Sequence, residues 1–308
     1  MTTEALAAPP RSGPALLTAL FSGRVGPVTV VVLAILGLWY LGAVYMNAPF
    51  QIDMFERQKV EWTAGDLVRA TLAQERPVLP APHQVLLDMK KNIFERKVTS
   101  KRSLVFHSWV TLSSTLLGFA IGTGLGILLA VGIVHLQTLD KSLMPWVISS
   151  QTIPILAIAP MIVVVLGAIG LKGLVPKAII STYLCFFPVT IGMVKGLRSP
   201  DLLQMDLMRT YNASGWQTFW KLRWPASMPF LFASLKVAIA ISLVGAIVGE
   251  LPTGAQAGLG ARLLVGSYYG QTVAIWSALL TAAFLAAIMV ALVGVAERQV
   301  QRRMGNLR

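Results

Sequence analysis

From Leu263 to Ala296 the chain carries no charged residue, and from Ser142 to Leu171 it again carries none. A helix needs about 20 mostly apolar residues to cross a hydrocarbon core roughly 30 Å thick. Within that core only structures that satisfy their own backbone hydrogen bonds survive. These runs therefore predict helices in a bilayer. Composition agrees: charged residues are 13% of the 308, against about 25% in soluble domains. That deficit excludes a disordered chain, a nucleic-acid arm and an ordinary cytosolic enzyme. The 26 basic against 13 acidic residues, a net charge of +13, fit loop ends that hold cytoplasmic segments inside and call for no nucleic acid.

The full pattern predicts an all-α membrane protein with six transmembrane helices. The candidate spans are Pro27 to Met46, Ser103 to Leu139, Ser142 to Leu171, Ala178 to Val194, Pro229 to Gly249 and Leu263 to Ala296. Residues 1–26 read as a cytoplasmic tail too long and Pro-rich for a signal peptide, 47–102 as an outer loop, 103–296 as the core, and 297–308 as a second tail. Pro145, Pro154 and Pro160 predict a kinked third span and Pro188 a kinked fourth, each facing protein or a wet cavity. Gly118, Gly122, Gly124, Gly126 and Gly132 predict close helix packing. Short-loop basic residues number twelve on one side (Arg11, Arg24, Lys141, Lys195, Arg198, Arg209, Lys221, Arg223, Arg298, Arg302, Arg303, Arg308) and three on the other (Lys172, Lys177, Arg262). Both termini are therefore expected in the cytoplasm. In the outer loop an amphipathic piece is expected around Phe55 to Gln74. A second is expected around Gln84 to Lys97, with Val85, Leu86, Met89, Ile93 and Phe94 on one face.

Between the fourth and fifth spans lies the longest polar stretch assigned to the cytoplasm, Leu197 to Ser227. Ser199 reads as a helix cap with Pro200 in the first turn and Asp201 beside the helix dipole. Leu202, Leu203, Met205, Leu207 and Met208 leave that helix too apolar to stay in water. Asn212 tolerates the left-handed conformation and reads as the bend; Ser214 then caps a second helix, which Pro225 and Pro229 are expected to end. The result is a greasy elbow that needs a partner.

These residues resemble the permease subunits of bacterial binding-protein-dependent ABC importers, whose signature is E-A-A, three residues, G, nine residues, I-x-L-P. Here the spacing runs from Asp206-Leu207-Met208 through Asn212 to Leu222-Arg223-Trp224-Pro225. Gln151-Thr152-Ile153-Pro154, Ala159-Pro160, Arg209-Thr210, Ala213-Ser214, Trp216-Gln217, Gly249-Glu250, Gly258-Leu259-Gly260 and Glu297-Arg298 are similar to the nitrate, sulfonate and taurine branch. The resemblance implies the type I (MetI-like) importer permease fold in the bacterial inner membrane. It also implies cytoplasmic ATP-binding subunits, an external solute-binding protein and a second permease copy or a distinct permease. Met205, Asp206, Arg209, Asn212, Ala213 and Ser214 become the candidate contact with the ATPase. Leu207 and Met208, in place of two alanines, point to a differently shaped groove and to a heterodimer.

The chain has no G-x-x-x-x-G-K-[ST] loop, so the energy source is expected on another subunit and no cofactor on this one. His83, His107 and His135 are scattered and the lone Cys185 sits in an apolar run, which leaves no catalytic or metal set. An ion-coupled secondary transporter would show repeated halves and buried carboxylates, whereas Glu250 is the sole acid between Asp206 and Glu297. Intramembrane ionisable groups are functional candidates because their desolvation is costly. Lys236 either snorkels to the inner surface or attracts an anionic solute; Glu250 is expected to shape the outer gate or meet the binding protein. Gln151, Thr152, Pro154, Tyr183, Ser234 and Ser242 complete the candidate pathway, with helix-to-helix bonding the alternative for the hydroxyls and amides. Specificity is expected to reside mostly in the binding protein, with a small nitrogenous or sulfonated nutrient, pyrimidines included, as cargo.

Overall fold

A computed structural model describes residues 25–252 and 257–305. The tail at 1–24, Thr253, Gly254 and Arg308 lie outside the described residues. The described chain is helical, without a strand, and its contacts divide it into residues 1–85 and 86–308.

In the first unit, helix α1 (Val25–Gln58) has 34 residues, about 50 Å at 1.5 Å each. It overruns the expected end at Met46 because its polar continuation has partners. Asn47 accepts from the backbone N–H groups of Val78 (2.7 Å) and Leu79 (3.3 Å) and donates to the Leu79 carbonyl (2.9 Å). Trp39 donates to the Pro80 carbonyl. The piece expected around Phe55 to Gln74 is not one helix: Lys59 turns left-handed (φ 53°), and α2 (Ala64–Ala73) starts afresh. Thr63 caps it reciprocally with Asp66, and the Thr63 hydroxyl and backbone N–H hold the Asp66 carboxyl below the usual carboxylate range.

The next helix, α3 (Pro82–Lys90), runs into a wide π turn at Lys91–Glu95. Val85, Met89 and Asn92 are buried, while Leu86 and Phe94 are exposed. The single apolar face expected there is therefore split: Leu86 already points outward within α3, and the π turn rotates Phe94 off the 3.6-residue register.

The second unit is built on α4 (Leu104–His135), α7 (Leu174–Leu197) and α10 (Trp224–Glu250). Gly118, Gly122 and Gly126 line the face of α4 that meets Ser181, Cys185 and Val189 of α7; a Cβ on Gly126 would stand 2.8 Å from the Val189 Cβ. Gly124 faces open space and Gly132 lies beside Leu139, so three of the five glycines do the packing. From α7, Gly192 and Gly196 meet α10 at Ser234 and Ser227. The core beneath includes Ile133, Met193, Leu197, Met228 and Leu231.

The expected third span is two helices, α5 (Gln137–Ser149) and α6 (Ile155–Ala168), joined by a 3-10 turn and bent by 99°. Pro154 accounts for the break, since it holds Ile153 extended and supplies no N–H. At 13 and 14 residues each is about 20 Å long, short of a bilayer alone. Five helices of the described chain can cross, or six if the bent pair is one span. The fourth span begins earlier than expected, so Lys177 belongs to α7 and not to a loop. The run from Leu263 to Ala296 also divides, into α11 (Leu259–Tyr268) and α12 (Thr272–Arg303), with Gly270 left-handed between them.

Candidate functional site

The elbow begins with α8 (Leu202–Thr210). Asp201, and not Ser199, is its cap: Asp201 accepts from the Leu202 N–H at 2.6 Å while Gln204 accepts from the Asp201 N–H. Ser199 instead donates to the Gly196 carbonyl at the end of α7. Pro200 therefore precedes the helix, and the Asp-x-x-Gln box outcompetes the proline.

At the far end of α8, Asn212 is left-handed with φ 49°. Its own N–H and that of Ala213 return to the carbonyls of Arg209 and Met208, closing the helix as glycine would. Ser214 caps α9 (Gly215–Thr218) in a second reciprocal box with Gln217. The prolines do not end this helix. It passes through a π turn at Phe219–Arg223 straight into α10, with Pro225 in the first turn and Pro229 inside.

The elbow exposes what water would hide: Leu202 is 80%, Leu203 77% and Leu207 56% exposed. Met205 and Ala213 are half-buried, and Asp206 pairs at the surface with Arg209 at 3.0 Å. Such a pair is worth about 0–1 kcal/mol, so either partner is free to exchange for an external one. Trp216, Phe219, Trp220 and Trp224 pack ring on ring, and His135 at the end of α4 meets Phe219 edge-on. The elbow is thus wedged against α4 and continuous with α10.

About 40 Å away along α10, counting 27 residues at 1.5 Å each, Glu250 is wholly buried. Lys177 donates to it at 3.2 Å, Thr111 at 3.0 Å and the Gly260 N–H at 2.9 Å. Lys177 also donates to the Ala257 carbonyl, and Thr111 accepts from the Leu259 N–H. His107 Nδ1 accepts from the Gly258 N–H, so Nε2 carries the proton that it donates to the Lys101 carbonyl. A side chain on Gly258 would collide with the Glu250 carboxylate, and its φ of 127° is a glycine conformation. One carboxylate therefore ties α4, α7, α10 and α11 together. Of this cluster only Glu250 stood out in the sequence; the Gly-Leu-Gly at 258–260 was the available sign of a backbone held close.

The remaining candidates scatter. Lys236 forms an ion pair with Glu297 of α12; both readings made from the sequence left out this partner. Ser242 donates to the Thr115 carbonyl while its own carbonyl accepts from Ser181, which places it in the helix contact. Ser234 is buried where α10 meets Gly192 of α7. Tyr183 donates to the Ser150 carbonyl. Gln151, Thr152 and Pro154 are exposed at the bend between α5 and α6. Among the described residues no cluster of His, Cys, Asp or Glu has the makings of a metal site.

Residues 122–306 match the family described as binding-protein-dependent transport system inner membrane component. A probable ABC transporter permease protein of Haemophilus influenzae is 30% identical over 66% of this chain and 78% of its own length. The formylaminopyrimidine transport permease protein of Halalkalibacterium halodurans is 30% identical over 63% and 72%. The riboflavin transport system permease protein of Chloroflexus aurantiacus is 31% identical over 64% and 71%. Permeases named for aliphatic sulfonates in Bacillus subtilis and for nitrate in Synechocystis are each 24% identical, over 72% and 76% and over 70% and 75%. With the match covering more than half its length, this chain belongs to the inner-membrane permeases of binding-protein-dependent ABC importers.

Proposed function

We propose that the elbow is the contact by which separate ATP-binding subunits drive this permease, which pairs with a second permease to import a small organic nutrient handed over by an external binding protein. The observation that carries this reading is the exposure of Leu202, Leu203 and Leu207 on a polar segment that leads through the Asn212 bend and α9 into α10. Burying one such leucine is worth about 1.5–3 kcal/mol, so three form an adequate anchor. The bulk of Leu207, where the resemblance has an alanine, favours a distinct permease as the second subunit. Two of the three relatives near 30% identity carry names of nitrogen heterocycles, the third names no cargo, and two at 24% carry the names of sulfonates and nitrate. This ordering favours a pyrimidine-like cargo.

A photo-crosslinker carried on Leu203→Cys tests the contact. The expected product is a covalent adduct with an ATP-hydrolysing subunit, and Leu203→Asp is expected to lower co-purification of that subunit by about tenfold or more. Adducts with lipid alone, or with other copies of this chain alone, would overturn the proposal.

A further inference from the structure

At the Glu250 end, a cavity of about 740 Å³ lies between α4, α6 and the start of α7, within the roughly 300–1,000 Å³ typical of small-molecule sites. Resting on the permease reading above, we infer that this cavity holds the transported solute, and that it accepts a compact organic body presenting electron-rich acceptor atoms and refuses cations.

Three features of the wall carry the inference. First, much of it is apolar, with Val110 from α4, Val163 from α6 and Leu174 from α7; a hydrated inorganic ion would leave that surface uncovered, whereas an organic body covers it. Second, its charged residues are cations. Lys172 and Lys177 line the cavity, and among the described residues no carboxylate does. Third, the two lysines are not equivalent. Glu250 sits behind the wall, wholly buried, and neutralises Lys177. An ammonium has three N–H donors; the Glu250 carboxylate and the Ala257 carbonyl take two, which leaves one to offer. Lys172 has no salt bridge among the described residues, so its charge is uncompensated. The cavity therefore presents a net positive wall with a positioned donor, and Glu250 acts as a positioning residue that fixes Lys177 without reaching the solute.

Two methanethiosulfonate reagents of similar size, one bearing a sulfonate and one a trimethylammonium group, serve as probes. The sole native cysteine, Cys185, is wholly buried and supplies the unreactive background. Ser113→Cys and Val110→Cys place a thiol on the cavity wall in the detergent-solubilised full complex, whose ATP hydrolysis is measured first. Loss of that hydrolysis in the unsubstituted complex refutes the permease reading, independently of the labelling. With each rate divided by that reagent's rate on a free thiol, the anionic reagent is expected to win by about tenfold, as an uncompensated charge several ångströms away requires at an effective dielectric between protein and water. Lys172→Gln should bring the ratio close to one and Lys172→Glu should invert it. A ratio near one in the parent, a ratio indifferent to Lys172, or two unreactive thiols in an active complex would each overturn the inference.

Discussion

Glu250 and Lys177 are 73 positions apart in sequence and 3.2 Å apart in space. That distance explains why one was legible and the other was not. An acid in an apolar run stands out by its desolvation cost alone. Lys177 looked like a loop residue because it follows Lys172 and Pro176, yet it is the fourth residue of α7. His107 and Thr111 carried no sign at all, since a histidine or threonine on a helix is commonplace until the backbone of 258–259 arrives to meet it. A buried pair costs more to break than it contributes intact. Lys177→Met strands the Glu250 carboxylate, so a loss of about 3–5 kcal/mol is expected, read as a lower melting temperature of the solubilised complex. Combining Lys177→Met with Glu250→Gln removes the stranded charge while keeping an acceptor for Gly260 and Thr111. The double variant should therefore melt above the single one; if it melts no higher, the carboxylate is not paying the desolvation cost assigned to it here.

Whole helices were read better than their breaks. The apolar runs behind α4, α7 and α10 placed those elements, and the bend at Asn212 with the cap at Ser214 followed from local chemistry alone. The prolines announced a break in the third span without its 99° size, while the division of the last apolar run at Gly270 did not show in hydropathy, because two short apolar helices and one long one have the same composition. Periodicity likewise pointed to five glycines in α4 without saying which face they share. The structure divides them: a Cβ at Gly118 would overlap Ser181 and stand 2.7 Å from the Ala178 carbonyl, whereas one at Gly124 meets nothing within 4 Å. Gly118→Ala is therefore expected to destabilise the α4–α7 contact by about 1–3 kcal/mol, the usual cost of overpacking. Gly124→Ala should leave stability unchanged or slightly raised, since alanine is the better helix former. Thermal unfolding of the two variants side by side separates packing from a general glycine requirement, which would lower both.

At the scale of the molecule, the 86–308 unit has two dissimilar ends. The end of α4, the end of α7, the elbow, and the end of α12 gather at one. The starts of α4 and α7, the end of α10, and α11 gather at the other. The elbow end carries Lys141, Lys195, Arg198, Arg209, Lys221, Arg223, Arg298, Arg302 and Arg303 among the described residues; the opposite end carries Lys172 in the turn before α7, Lys177 in α7, already neutralised, Arg262 in α11, and Lys101 and Arg102 just before α4. Short-loop positive charge collects on the cytoplasmic side, so the elbow end is the one expected to face the cytoplasm. About 40 Å of α10, from its 27 residues, joins them, enough to cross a core of roughly 30 Å. A motion imposed at Leu203 passes the bend at Asn212 and then has a continuous helix from Gly215 along which to reach Gly249 and Glu250. Sidedness tests this directly. A thiol introduced by Gln204→Cys should react with a membrane-impermeant maleimide only in inside-out vesicles, and one introduced by Lys172→Cys only in right-side-out vesicles. If both thiols react from the same side, α10 does not span the bilayer and the elbow has no lever to pull.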